Sequence, residues 1–435
     1  MSPIDLGFGL GVSGIRGGAG GAPPVKPLLL AANRGITPNN FRIAATENFR
    51  ISETRMSMRT GGAALSEMRF VYAGFYILNN SGVETNPGND QPIEIAVEWP
   101  GVGTVQVTFG GQNVGNITNG LAELVSDPIY PSAFGLPSFP ANTQFWLRRR
   151  STLLLNERNT KHGGAGGSGE STFYSDPAGG YASQLLGTGA MVQRAGGATA
   201  SAELGPAAII GRAVGSPDIA VGVIGDSLAD GNNDTNIAGD GSAGGGWIAR
   251  GLWNVNGRPV PWQKQTCGGS TVRNLVLGYA KRAVYWKYWT HCFLAYGTND
   301  MAVAGRSGAE ALADLMTATA ALKAAGLRRV EIPLIPPRVT STDSYATTAN
   351  QTPVTNYQTG GTRRDALNDG IIASVGTGGL DDYFNPNPVF ADSVALDRWA
   401  VNGSANYWTN DGVHLTAAAC AAGAVPLNAR IGTWV

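Results

Sequence analysis

Four stretches of this 435-residue chain hold residue types that together could cleave an ester. Residues 221–231 read Val-Gly-Val-Ile-Gly-Asp-Ser-Leu-Ala-Asp-Gly, an apolar run that halts at Gly225-Asp226-Ser227. A serine there acts as a nucleophile only if a base takes its proton, because a free hydroxyl is barely ionised at neutral pH. The chain has three histidines. His162 borders a glycine-rich loop and His291 begins an apolar strand, both poor positions for a base. His414 lies in the polar turn Asn410-Asp411-Gly412-Val413-His414-Leu415-Thr416. Asp411 stands three residues earlier, where one turn can bring its carboxylate to the far nitrogen of the imidazole. That bond would fix the tautomer and stabilise the imidazolium formed when Ser227 loses its proton. Taken alone, Gly-Asp-Ser is a weak signal, since such tripeptides more often just close a strand with a polar turn.

Attack on a carbonyl also builds negative charge on oxygen, which needs donors at about 3 Å in a site poor in water. Tyr296-Gly297-Thr298-Asn299-Asp300 offers the Asn299 amide, Cys267-Gly268-Gly269-Ser270-Thr271 offers a backbone N–H, and Ser227 offers its own. These groups must converge on one edge of the fold. Ile219, Val221, Val223 and Ile224, between Ser216-Pro217 and Gly225, read as a strand covered on both faces, whose carboxyl end borders a ligand crevice. Cys292 to Tyr296 form a second such strand, Leu312, Leu315, Met316 and Leu322 share a helical face that Gly326 ends, and Val330 to Ile335 return as a strand. This β-α-β unit predicts an α/β domain with a parallel sheet over residues 211–435.

Gly-Asp-Ser after a first strand, a Gly-Ser-Thr loop, Gly-Thr-Asn-Asp after a later strand and Asp-Gly-Val-His near the carboxyl end occur in that order. They resemble the four blocks of the SGNH hydrolases, also called GDSL esterases, and the resemblance covers residues 211–435. It implies a parallel sheet flanked by helices and a serine esterase with Ser227 as nucleophile, His414 as base and Asp411 as its orienting carboxylate. It also implies an oxyanion hole built from Ser227, Gly269 and Asn299, with Gly268 an open alternative to Gly269. The first block departs mildly from the family, with Leu-Ala-Asp-Gly following the serine. The family includes lipases, thioesterases and esterases of acetylated polysaccharides. No long apolar lid is visible, and Trp408, three residues before Asp411, and Trp247 are candidate sugar contacts. The expected activity is therefore removal of O-acetyl groups from polysaccharide. The alternatives are a short-chain carboxylesterase or lipase, and a glycan-gripping module of an assembly such as a phage tail.

Residues 46–210 carry a different period. Ile93, Ile95, Val97 and Trp99 alternate with polar or small residues, as do Val105, Val107 and Phe109, and then Phe145 and Leu147. Turns such as Asn79-Asn80-Ser81-Gly82 and Pro87-Gly88-Asn89-Asp90 separate them, which predicts an all-β sandwich or jelly-roll domain. With its Val125-Ser126-Asp127-Pro128 turn, this region loosely resembles the β-sandwich that precedes the catalytic domain in some carbohydrate-acting SGNH members. Arg148-Arg149-Arg150 reads as a solvated strand end more readily than as an anion site, and Gly163 to Gly167 as a flexible loop. Residues 1–45, rich in Gly and Pro around Leu28-Leu29-Leu30, read as an arm that cannot bury a core alone and docks to a virion or to other copies of the chain.

Composition narrows the setting. The 31 basic and 31 acidic residues balance, so no net field recruits nucleic acid or an anionic membrane. Charged residues make up 14% of the chain, against roughly 25% in ordinary soluble domains, and the 62 glycines are about double the usual share. Both features suit an extracellular or virion-associated protein. No stretch approaches the roughly 20 apolar residues of a membrane span, and the amino terminus lacks a secretory-signal pattern. Cys267, Cys292 and Cys420 are expected as buried thiols, and no metal or cofactor is expected because no His, Cys and carboxylate cluster has ligand spacing.

Overall fold

A parallel strand with helices on both faces must be apolar throughout, and Val221–Gly225 is buried at every position. It lies within a six-stranded sheet made of β1 (Gly35–Ile36), β2 (Val221–Gly225), β3 (Trp262–Thr266), β4 (His291–Ala295), β5 (Arg329–Pro333) and β6 (Asp382–Phe384), in the order β1-β3-β2-β4-β5-β6. Every pairing is parallel. The chain leaves β2 for β3 on one side and then returns for β4 on the other. That reversal makes the carboxyl end of β2 the topological switch point, where open α/β sheets bind ligands. Among the helices are α1 (Ser227–Asp230), α2 (Gly246–Trp253), α3 (Val272–Leu277), α4 (Thr298–Ala302), α5 (Gly308–Ala324), α6 (Arg363–Ala373) and α7 (Ala417–Ile431). Helix α5 starts at a capping box between Ser307 and Glu310 and buries Ala311, Leu315, Ala318 and Leu322. The computed structural model describes residues 26–434 except 163–168, 201–203, 216–218, 236–244 and 362. The glycine loop at 163–167, the Ser216-Pro217 boundary and arm residues 1–25 therefore lie outside the described residues.

The period-two region forms two antiparallel sheets. The larger contains Gln91–Trp99, Gln144–Thr152 and Ile51–Arg59 at its centre, and the smaller runs Leu29–Leu30, Ala208–Ala213, Leu65–Tyr72 and Leu124–Val125. Alternation along Leu65–Tyr72 gives the smaller sheet two buried faces. Met68, Phe70 and Tyr72 join Met56, Phe145, Leu147 and Ile95 in the sandwich core. Val71, with Ala208 and Ile210, instead joins Trp286, Trp289 and Leu294 of the α/β domain. The sandwich is thus continuous with the hydrolase-like domain through a shared layer. Against this layer, the otherwise polar strand β3 buries Gln263 and Gln265, whose side-chain oxygens accept hydrogen bonds from Trp289 at 2.8 Å and Trp286 at 3.1 Å.

Three sequence expectations change. Residues 26–45 are not a free arm: Leu29–Leu30 pairs with Ala208–Ala213, and Gly35–Ile36 becomes the edge strand of the parallel sheet. Two residues give no readable period, and both of their pairing partners lie far along the chain. The strand at 208–213 also runs across the expected boundary at residue 210. Nor is Arg148-Arg149-Arg150 a solvated strand end. The strand continues to Thr152, Arg148 and Arg149 are buried, and Arg148 pairs with Glu98 on the neighbouring strand at 2.9 Å. No helix of the described residues is long and apolar enough to cross a membrane.

Candidate active site

β2 delivers Ser227 through a cap. The Asp226 carboxylate accepts the N–H of Leu228 at 3.0 Å, which starts α1 with Ser227 as its first residue. Burial pushes the Asp226 carboxyl up to about 7, opposed by that hydrogen bond. Asp226 therefore shapes the turn rather than reacting. Ser227 is buried to 6% exposure, and its N–H meets no acceptor among the described residues.

The base arrives from the opposite end of the domain. Thr409 and Leu415 bridge across a tight loop, Leu415 is buried, and Thr416 caps α7 by accepting the N–H of Ala419 at 3.3 Å. Gly412 has φ +80°, and a Cβ there would strike the carbonyl of Val339. This closure brings His414 Nε2 to 2.8 Å from Ser227 Oγ and His414 Nδ1 to 2.7 Å from Asp411 Oδ2. The tautomer that satisfies both bonds carries its proton on Nδ1, leaving Nε2 to accept from the serine. Asp411 Oδ1 accepts the N–H groups of Val413 at 2.9 Å and His414 at 2.8 Å. Partial burial works against ionisation, but the bonds from His414 and Val413 prevail and hold this carboxyl well below the usual range. It remains an anion facing the imidazole.

The oxyanion candidates gather beside this array. Asn299, at the start of α4 and 7% exposed, donates one amide hydrogen to the Ser270 carbonyl at 3.1 Å and keeps a second. Gly269 lies in the same loop as Ser270, and its N–H has no acceptor among the described residues. Next to Asn299, Asp300 accepts the Val272 N–H at 3.1 Å, and burial pushes its carboxyl up to about 6. His291 sits at the opposite, amino end of β4, where burial and then Arg328 and Arg329 drive it down to about 4.

Sequence reasoning missed Asn233, whose side-chain amide donates to Asp411 Oδ2 at 3.2 Å and to Asn410 Oδ1 at 2.8 Å. The signal for it was the Gly231-Asn232-Asn233 turn directly after the nucleophile helix. Trp408 is half-buried and stacked on Tyr407 at 3.9 Å between ring centroids. Trp247 corrects an expectation. At 5% exposure it packs on Phe384 and Phe390 and faces only an apolar cavity of about 30 Å³, lined also by Leu228, Pro333 and Leu415. It is a core residue, because α2 turns it onto the sheet. All three cysteines are buried and free, and among the described residues no His, Cys and carboxylate cluster could hold a metal.

A Ser-His-Asp array at the carboxyl edge of a parallel sheet is the arrangement that serine hydrolysis requires. Residues 223–422, a little under half of the chain, match the family described as GDSL-like Lipase/Acylhydrolase, in line with the SGNH resemblance. Among solved structures, the chain is similar to a family two carbohydrate esterase from Clostridium thermocellum in complex with cellohexaose, at 10% identity over 94% of this chain and 99% of that one, with a TM-score of 0.36. It is also similar to protein YXIM from Bacillus subtilis, at 14% identity over 86% and 79% with a TM-score of 0.36. A third similar structure is a phospholipase A1 from Streptomyces albidoflavus, at 18% identity over 48% and 98% with a TM-score of 0.31. No curated protein matches the chain.

Proposed function

We propose that the protein is a serine esterase that removes O-acetyl groups from a polysaccharide. The observation that carries the serine chemistry is the unbroken line of hydrogen bonds from Ser227 Oγ through His414 to Asp411. Ser227 Oγ attacks the ester carbonyl carbon while its proton passes to His414 Nε2, and Asp411 stabilises the resulting imidazolium. The N–H groups of Ser227 and Gly269 and the Asn299 amide hold the oxyanion. Collapse of the tetrahedral intermediate expels the sugar hydroxyl, which takes the proton from His414. The same imidazole then activates water, which releases acetate and restores Ser227.

The choice of substrate rests on the surroundings. The rim carries exposed Asn79, Asn80, Asn232, Asn233 and Asn410, uncharged groups that can each donate and accept, as sugar hydroxyls require. Trp408 offers a half-buried ring beside them. Docking of the amino-terminal residues to a larger assembly remains our proposal from composition alone.

The test is acetate release from acetylated polysaccharides, alongside p-nitrophenyl esters of increasing acyl length, with wild type and Ser227→Ala. Acetyl-selective turnover lost in the variant is the expected result. Turnover surviving in Ser227→Ala would sink the serine mechanism, a maximum at long chains would replace the sugar ester with a lipid, and glycan binding without turnover would favour an adhesion module.

A further inference from the structure

The hydrolase domain does not hold its oxyanion loop alone: beside its own bonds, such as Ser270 Oγ to the Cys267 carbonyl at 2.7 Å and Asn299 to the Ser270 carbonyl at 3.1 Å, the β-region grips it. A hairpin of the β-region, Tyr76–Ile77 paired with Glu84–Thr85, carries Asn79-Asn80-Ser81-Gly82 at its tip. The Asn80 N–H donates to the Gly268 carbonyl at 2.7 Å. Cys267 Sγ lies 3.3 Å from the Leu78 carbonyl and 3.5 Å from Asn79 Oδ1. On the far side, Gly82 leaves no room for a side chain, since a Cβ there would come within 2.9 Å of Asn274 Cβ and 3.0 Å of Ser270 Cβ.

The hairpin is itself fixed. Phe75 and Ile77 are fully buried in one core with Cys267, Val272 and Leu275. Glu84 accepts the N–H groups of Lys281 at 3.0 Å and Arg282 at 2.9 Å, and its carboxylate pairs with the Arg282 guanidinium at 3.1 Å, where both side chains are buried. Arg282 Nη2 in turn donates to the Gly82 carbonyl at 3.1 Å.

A trans peptide is planar, so the carbonyl of Gly268 and the N–H of Gly269 point in opposite directions. Whatever binds the first aims the second. Gly269 has φ +72°, a conformation open to glycine at no steric cost, and a Cβ there would run into Asn80 Oδ1 and lie 2.9 Å from Asn80 Cα. The peptide is therefore gripped by the hairpin on one side, while the Gly269 N–H has no acceptor among the described residues on the other.

We infer that Asn80 of the β-region is a positioning residue for catalysis: its backbone N–H, held out by the 76–85 hairpin, orients the Gly268–Gly269 peptide so that Gly269 N–H faces the oxyanion. This rests on the serine-esterase reading above. It makes the β-region part of the catalytic apparatus rather than an appended module, and it selects Gly269 over Gly268 as the donor.

The experiment compares Asn80→Pro, which removes the N–H and, with its ring holding φ near about −65°, also forces the tip out of the left-handed backbone that Asn80 holds at φ +64°, with Asn80→Gly, which keeps both. Gly82→Val, which wedges the hairpin off Ser270, serves as the second variant. With p-nitrophenyl acetate, Asn80→Pro and Gly82→Val should lower kcat by roughly 10- to 100-fold at nearly constant KM, below the 10²–10³-fold typical of deleting a donor outright, and Asn80→Gly should restore it. Thermal unfolding identifies a variant that simply fails to fold, in which case the other decides. A raised KM at unchanged kcat, or unchanged kinetics in both, would overturn the inference by making the hairpin a substrate wall or a bystander. A structure of the wild type phosphonylated by a p-nitrophenyl phosphonate separates the two readings. An unmodified Ser227 defeats the esterase and the inference together. A modified Ser227 whose phosphoryl oxygen lies beyond hydrogen-bond reach of Gly269 N defeats the inference alone.

Discussion

Asp411 and His414 occupy one short loop, half open to solvent, and most of the bonds that fix their carboxylate and ring are made within that loop. The Gly268–Gly269 peptide sits a few residues past the end of a strand, yet its carbonyl is held by Asn80, far back in the chain, and the holder is anchored by the buried Glu84–Arg282 pair. One side of the reactive edge is built locally, the other across the whole fold. The first should yield to substitution in rate while sparing stability, and the second should couple the two.

The largest effect tests the local side. Asp411→Asn removes the anion that stabilises the imidazolium and disturbs the tautomer, so kcat should fall by roughly 10³–10⁴-fold. Asn keeps an oxygen able to accept the N–H groups of Val413 and His414, and the site is partly solvated, so the melting temperature should move by only a few degrees. A variant that loses stability as heavily as activity would erase the contrast between the two supports.

The non-local side is tested by Glu84→Ala. It leaves the Arg282 guanidinium buried without its carboxylate, a change that costs about 3–5 kcal/mol in comparable buried pairs. Urea unfolding should report that loss. The folded fraction should also show a lower kcat on p-nitrophenyl acetate, because the hairpin that aims the oxyanion peptide is loosened. Full stability loss with an unchanged kcat would mean that the ion pair welds the two regions together without serving the site.

The same contrast explains what could be read from sequence. The grouping of Ser227, His414 and Asp411 was legible because each lies in a short block whose residue types suggest its chemistry, and because Asp411 and His414 are neighbours in the chain. The parallel sheet and the sandwich were legible because apolar runs and period-two alternation express burial on two faces or on one. What escaped depends on distant partners. Gly35–Ile36 is a strand only because Gln263 and Lys264 lie beside it. Arg148 is buried only because Glu98 waits on the adjacent strand. Asn79-Asn80-Ser81-Gly82 reads as any polar turn until Gly268 is placed against it. Trp247 looked like a ligand platform because an indole carries no sign in the sequence of which way its helix faces.

The smallest effect concerns the turn that both sides share. Asp226 caps the nucleophile helix, and burial raises its carboxyl to about 7, whereas an aspartate in the unfolded chain titrates near pH 4. The folded state thus holds this proton more tightly, so Asp226 contributes stability below about pH 4 that is lost as pH rises toward about 7. Asp300, His414 and Arg338 are the charged or titratable neighbours that act on it, and Asp300, raised to about 6 by its own burial, pulls the pH dependence in the same direction. A difference measurement isolates Asp226 from these neighbours. Asn is a good helix cap, so Asp226→Asn keeps the bond to Leu228 while removing the titration. The variant and the wild type should melt together near about pH 3, below the unfolded value, and the variant should melt progressively higher from pH 5 to pH 8. A gap that is constant from pH 5 to 8 would show that Asp226 is already ionised in the folded protein at pH 5, and that the cap bond and nearby cations outweigh its burial.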